Sequence, residues 1–74
     1  MDIQRKYKDY EEGITVYGTK DGRYEVIEQD KDGTFLVFEK DSKGLYHSIG
    51  VRCLTLSQCW LIVRGRERWW GRCD

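Results

Sequence analysis

Few residues of this chain could support metal or acid–base chemistry, and their spacing does not favour it. His47 and the cysteines Cys53, Cys59 and Cys73 are residue types that bind tetrahedral zinc. Neither a C-x₂-C nor a C-x₄-C knuckle is present, however. We therefore expect no metal ion and no cofactor. Cys53 and Cys59 are then expected to act as small buried apolar residues.

The sequence also lacks a recognisable catalytic arrangement. No Asp or Glu adjoins His47 on its predicted strand to orient it as a general base. The serines Ser42, Ser48 and Ser57 lie outside any nucleophile-elbow pattern. A chain of 74 residues has little material for an enclosed catalytic cavity. We therefore expect a protein that is not an enzyme.

The C-terminal residues combine arginine with tryptophan, a combination suited to nucleic acid. Arginine binds phosphate with two parallel hydrogen bonds, and tryptophan offers a platform on which bases stack. Residues 1–48 carry eight basic and eleven acidic side chains, whereas residues 49–74 carry five and two. Because the formal net charge is zero, these charges would have to be segregated to hold a phosphate backbone. The nucleic-acid alternative uses Arg23, Arg52, Arg64, Arg66, Arg68 and Arg72, beside Trp69 and Trp70.

The same residues have a structural explanation. Arginines near the C-terminus of a helix interact favourably with its dipole. In so small a chain, the ring of at least one of Trp69 and Trp70 is also expected to fold onto the core.

Composition predicts a single small domain spanning residues 1–74. Hydrophobic residues make up 39% and charged residues 35%, which is too apolar for a disordered tail and too charged for a lipid environment. The longest apolar run, Cys59–Val63, is far shorter than the roughly 20 residues that span a bilayer. Three cysteines cannot all pair into disulfides, and residues 1–6 lack the apolar stretch of a signal peptide. These features predict a cytoplasmic protein with no membrane partner.

Glycine-terminated polar clusters at about ten-residue spacing predict hairpin turns. Connections this short allow only antiparallel neighbours. The expected fold class is α+β: an antiparallel three- or four-stranded β-meander over residues 14–53, followed by one helix that packs on one face. The predicted strands are Ile14–Thr19, Arg23–Gln29, Thr34–Lys40 and Leu45–Cys53.

A capping box, Thr55-Leu56-Ser57-Gln58, predicts a helix over residues 55–65 that ends at Gly65. Residues 66–74 would then form an Arg/Trp tail. A fifth strand through Cys59–Val63 is the alternative, since short apolar runs do not distinguish the two.

The N-terminal residues 1–12 are expected to be either frayed or a short helix. Asp2 could cap such a helix, and Ile3, Tyr7 and Tyr10 would form its apolar stripe.

Alternation along the strands divides the side chains between two faces of the sheet. Ile14, Val16, Tyr24, Val26, Phe35, Val37, Leu45, Ile49 and Val51 are expected under the helix. One short helix cannot cover both faces, so the second face would be covered by residues 1–12, by another copy of the chain, or by a partner.

The function that we predict is non-catalytic protein binding, as in accessory or inhibitory proteins of phages and mobile elements. A nucleic-acid-binding sheet and a self-associating structural subunit are the alternatives. The protein-binding residues would be Tyr17, Ile27, Leu36, Phe38 and Tyr46 on the second face, with Trp69 and Trp70 in the tail.

Overall fold

The computed structural model of the protein describes the backbone of residues 3–73 and the side chains of residues 3–66. Five strands are followed by one helix: β1 (Ile3–Asp9), β2 (Ile14–Thr19), β3 (Tyr24–Gln29), β4 (Phe35–Lys40), β5 (Tyr46–Cys53) and α1 (Leu56–Cys73). The strands form one antiparallel sheet in which each strand pairs with the next along the chain. The α+β class and the β-meander followed by a helix are confirmed, with five strands rather than three or four.

Aspartates organise three of the turns that connect the strands. Asp21, Asp32 and Asp41 each accept a hydrogen bond from the backbone N–H two residues further on, at N···O distances of 3.0, 3.0 and 2.8 Å. Backbone N–H donors are the main cause that lowers the pKa of these three carboxyls. Gly22 follows Asp21 with a φ of 76°, a left-handed conformation that glycine adopts without a Cβ clash. The polar clusters therefore form tight turns, as predicted.

The N-terminal segment is an edge strand, so the prediction of a helical or frayed segment over residues 1–12 is wrong for the described residues. β1 pairs with β2 from one end to the other, with a bulge between Arg5 and Tyr7. An isolated, highly charged helix of this length is marginal in water, whereas the edge of β2 offers a row of backbone partners. Lysines, arginines and a bulge are typical of edge strands that avoid pairing with other chains. The segment extends the sheet and does not cover its second face.

The capping box starts α1 where the sequence predicts it. The Thr55 hydroxyl accepts a hydrogen bond from the N–H of Gln58 at 3.2 Å. The Gln58 amide oxygen in turn accepts one from the N–H of Leu54 at 2.7 Å. Cys59 and Val63 are both fully buried, whereas Leu61 between them is 66% exposed. A helix allows this pattern, but a strand would put all three side chains on one face. The alternative of a fifth strand through Cys59–Val63 is therefore wrong.

The cap should make a measurable contribution to stability. We expect Thr55→Ala to lower the free energy of unfolding by about 1 kcal/mol, because the N–H of Gln58 loses its acceptor. Ser57→Ala is the matched control, since Ser57 is exposed in the same first turn. Chemical denaturation of both variants tests this, and equal stability of the two would contradict it.

The helix continues past Gly65, where the sequence predicts its end, as far as Cys73. Gly65 keeps a helical backbone at a cost of about 1 kcal/mol relative to alanine. The arginines on either side are good helix formers, and Arg66 is tied to Glu39 of β4 at 2.8 Å. Residues 66–73 therefore belong to α1 instead of forming a separate tail.

The core lies between α1 and one face of the sheet, which we call the helix face. Its buried cluster consists of Ile3, Tyr24, Val26, Phe35, Val37, Cys53, Cys59 and Val63. Trp60 and Ile62 of α1 and Ile49 and Val51 of β5 pack against this cluster. Leu45, also predicted on this face, precedes β5 and is exposed.

The register of the strands decides which side of β2 faces the helix. Tyr17 lies opposite Val26, and Val16 lies opposite Ile27. Directly opposed residues share a face of the sheet, and Val26 belongs to the core. The prediction that Ile14 and Val16 pack under the helix, with Tyr17 on the second face, is therefore wrong. β2 carries apolar side chains on both sides, so its hydrophobic pattern alone does not fix the face.

Candidate functional site

The side of the sheet that faces away from α1, which we call the open face, presents a group of apolar side chains. Val16, Ile27 and Leu36 lie opposite one another on β2, β3 and β4 and form one row across the sheet. Phe38 follows Leu36 by two residues on β4 and therefore lies on the same side. Tyr46 of β5 lies opposite Lys40, again on this side.

The open face has no covering layer among the described elements. All five strands belong to this sheet, and α1 packs on the helix face. None of the apolar residues of the open face joins the core cluster. Val16, at the β2 end of the row, is only 1% exposed, whereas Ile27, Leu36, Phe38 and Tyr46 are half-buried. These four side chains keep surface that a partner could cover.

Tyr46 is held in a fixed position on the open face. Its hydroxyl donates a hydrogen bond to the carbonyl oxygen of Gly22 at 2.6 Å, which links β5 to the turn between β2 and β3. The ammonium group of Lys40 lies 5.8 Å from the centre of the Tyr46 ring. The ring is therefore a rigid part of this surface.

Charge is distributed unevenly over the open face. On β1–β3, Lys6 and Glu25 form an ion pair at 3.1 Å. The Lys6 side chain crosses over Gly18, where a Cβ would lie 2.5 Å from the Lys6 Cε, so the glycine makes room for this pair. On β4–β5, Lys40 and Arg52 are exposed, and the structure records no ion pair for either within the described side chains. This second half of the face therefore carries uncompensated positive charge.

Tyr17 does not belong to the open face, as the register of β2 requires. Its ring packs against the core cluster, with its centre 6.2 Å from that of Phe35. Its hydroxyl donates to the Glu28 carboxylate at 2.8 Å. Burial, followed by this carboxylate, raises the pKa of Tyr17. The residue therefore stabilises the helix face.

Trp69 and Trp70 lie in the last turns of α1, but their side chains fall outside the described residues. The same holds for the side chains of Arg68, Arg72 and Cys73. Whether they contact the core or a partner stays a prediction.

The arginines of the nucleic-acid alternative that the structure describes do not line one side of the sheet. Arg52 lies opposite Leu36 and therefore on the open face. Arg66 lies on the helix face, where its guanidinium donates two hydrogen bonds to Glu39, at 2.8 and 3.3 Å. These hydrogen bonds are the main cause that raises the pKa of Arg66. Arg64 is exposed on the same helix. The geometry thus separates the cations instead of gathering them.

Tyr24 lies opposite Glu39 on the helix face and is fully buried. Burial is the main cause that raises the pKa of Tyr24 to about 12, and the neighbouring Glu39 adds to it. A phenol whose pKa is raised on folding stabilises the folded protein at any pH below its ordinary pKa near 10. This contribution is lost as the pH rises from about 10 through about 12.

We therefore expect the wild-type protein to lose stability between pH 10 and 12 more steeply than Tyr24→Phe, which has no phenol to ionise at this position. Denaturation midpoints of the two proteins over this range test the difference. Parallel curves would contradict the assignment.

A pairing of His47 with Asp41 was missed by the sequence analysis. The Nε2 of His47 lies 2.6 Å from the Oδ2 of Asp41. The prediction considered only carboxylates on the strand of His47, and Asp41 lies in the turn before it. The signal was the hairpin, because the turn between β4 and β5 folds Asp41 back towards His47. Asp41 also accepts a hydrogen bond from the N–H of Leu45 at 3.0 Å, and the imidazole is 63% exposed. We assign the pair to stabilising the turn.

Cys53 and Cys59 are buried free thiols, as predicted. Burial, followed by the neighbouring Cys53 side chain, raises the pKa of Cys59 to about 12. The thiol therefore stays protonated near neutral pH and is a poor nucleophile.

Neither the side-chain clusters nor the surface groove of the described residues favours binding of a metal ion or a small ligand. A metal site needs a group of three or more His, Cys, Asp or Glu side chains. The described part of the chain contains no such group. A half-open groove of about 370 Å³ lies between the β1–β2 and β3–β4 turns. Its Asp30 is already paired with Lys8. The groove is lined by Glu12, Gly13, Ile14, Gln29, Asp30 and Lys31.

No helix within the described residues is long and apolar enough to cross a membrane. No family model, curated protein or solved structure matches the chain. The fold and the open face define a small α+β domain in which α1 covers one sheet face and the described residues leave the other uncovered.

Proposed function

We propose that the chain is a non-catalytic protein-binding module that captures another protein on its open face. The observation that supports this proposal is the group Ile27, Leu36, Phe38 and Tyr46, which is half-buried, lies on regular strands and stays outside the core cluster. Rigid apolar and aromatic side chains of this kind supply contact area at a low entropy cost. Tyr17 packs on the helix face and is therefore not part of the proposed site.

We further propose that the module acts as an accessory or inhibitory protein, of the kind that phages and mobile elements encode, in the cytoplasm. The small size of the chain supports the first part. The buried free thiols of Cys53 and Cys59 support a reducing compartment.

Nucleic-acid binding is less well supported, because Arg52 and Arg66 lie on opposite faces and Arg66 is engaged by Glu39. Self-association through the open face is an outcome that the following experiment separates from capture of another protein.

Substitution of Phe38 tests the proposal. We expect Phe38→Asp to weaken the binding of peptides selected on the wild-type protein from a random display library by about 100-fold or more, because a carboxylate then interrupts the apolar row. Leu61→Asp is the matched control, since Leu61 is exposed on α1, away from the open face. It should leave the affinity within about twofold.

Two results would contradict the proposal. One is equal binding by wild type and Phe38→Asp. The other is unfolding of Phe38→Asp in circular dichroism, which would show that this face is core. Sedimentation of the wild-type protein over a concentration series detects self-association. Self-association through the open face would identify the bound partner as a second copy of the chain and not as another protein.

A further inference from the structure

The half of the open face formed by β4 and β5 combines apolar and positive side chains in a regular order. Leu36 lies opposite Arg52, and Lys40 lies opposite Tyr46, with Phe38 between these two pairs on β4. The cations therefore stand at the two ends of an apolar centre. Lys40 follows Leu36 by four positions, which corresponds to about 13 Å along a strand.

These two cations differ from the other basic side chains whose partners the structure records. Lys6 is neutralised by Glu25, Lys8 by Asp30 and Arg66 by Glu39. Arg52 and Lys40 have no ion pair within the described side chains.

Asp32, in the turn between β3 and β4, carries a carboxylate whose charge interacts with that of Arg52. The pKa of Asp32 is lowered mainly by the hydrogen bonds from Thr34, and the positive charge of Arg52 makes a smaller contribution. The Oδ1 of Asp32 accepts hydrogen bonds from the N–H and the hydroxyl of Thr34 at 3.0 and 2.7 Å. No ion pair between Asp32 and Arg52 is recorded within the described side chains, so Arg52 is available to an external carboxylate.

We propose that the partner captured on the open face is an acidic, amphipathic protein segment. Its apolar side chains would cover Leu36 and Phe38, and its carboxylates would reach Arg52 and Lys40. This inference rests on the proposed function and names the chemistry of its partner. Charge complementarity of this type steers association and selects partners.

The same charges argue against the other occupants. In a symmetric dimer built on this patch, the patch of one protomer meets the identical patch of the other, so the cations of each would face like charges. Two cations around an apolar centre are also a small footprint for a phosphate backbone. An acidic protein segment satisfies both the apolar centre and the charged ends.

The experiment uses the full chain and the same random peptide library. We expect the selected peptides to be acidic and apolar, and their binding to weaken as salt increases. The double variant Arg52→Glu with Lys40→Glu should bind them at least about tenfold more weakly. Lys43→Glu is the matched control, because Lys43 is an exposed cation in the turn beside these strands. Replacing the acidic residues of a selected peptide with lysine should restore binding to the double variant.

The outcomes separate this inference from the proposed function. Neutral or basic selected peptides, or an unchanged affinity of the double variant, would overturn the acidic partner. If Phe38→Asp still abolished binding in that case, the proposed function would stand. If neither Phe38→Asp nor the double variant weakened binding, both would fail. Dimers that Phe38→Asp dissociates would identify a second copy as the occupant and would also overturn the inference.

Discussion

Val63→Asp is expected to unfold the protein. Val63 is fully buried between α1 and the helix face, and it belongs to the same cluster as Val37 and Cys59. An unpaired carboxylate at this position would cost about 4 kcal/mol or more. A small domain has a total stability of this order, at roughly 0.05–0.15 kcal/mol per residue. Circular dichroism and chemical denaturation measure the loss.

The same helix provides the control for this prediction. Leu61 is two residues earlier and 66% exposed, so Leu61→Asp should change the free energy of unfolding by no more than about 1 kcal/mol. Similar losses in the two variants would show that α1 does not pack on the sheet through the Val63 side.

Tyr24→Ala is expected to cause the second largest loss, about 3–5 kcal/mol of unfolding free energy. Tyr24 is the largest fully buried side chain of the core, and its ring fills the space beneath α1 next to Val26 and Val37. Truncation to a methyl group leaves a cavity that the flanking strands cannot close, because cores are closely packed.

Tyr24→Phe separates the ring from its hydroxyl. It keeps the apolar ring and removes only the buried hydroxyl, for which no hydrogen-bond partner is recorded among the described residues, so its cost should stay within about 1.5 kcal/mol. A loss as large as that of Tyr24→Ala would assign the stability to the hydroxyl and not to the packing of the ring. Chemical denaturation of both variants with the wild type distinguishes these results.

Local signals in the sequence were sufficient for the turns and for the start of the helix. Asp21 and Asp41 close their turns through hydrogen bonds to backbone groups only a few residues away. Thr55 and Gln58 likewise bond within four residues of themselves. Interactions of such short range depend on residue type and order, and the sequence contains both.

The end of α1 and the N-terminal strand required information that is not local. Arg66 is held by Glu39 across the core, 27 residues away in sequence, which helps to carry the helix past Gly65. β1 forms because β2 has a free edge to pair with, and no pattern within residues 3–9 records that edge. The pairing of His47 with Asp41, six residues apart, is local by contrast and follows from the predicted hairpin.

By itself, the sequence determined an antiparallel β-meander followed by a capped helix, and a surplus of apolar side chains for one helix to cover. Only the tertiary structure decided which side chains form that surplus. The pairing of Tyr17 with Val26 moved Tyr17 under α1 and placed Val16 on the open face. The physical reason is that strand side chains alternate with a period of two, so one residue of register exchanges the two faces, and register is set by pairing between strands.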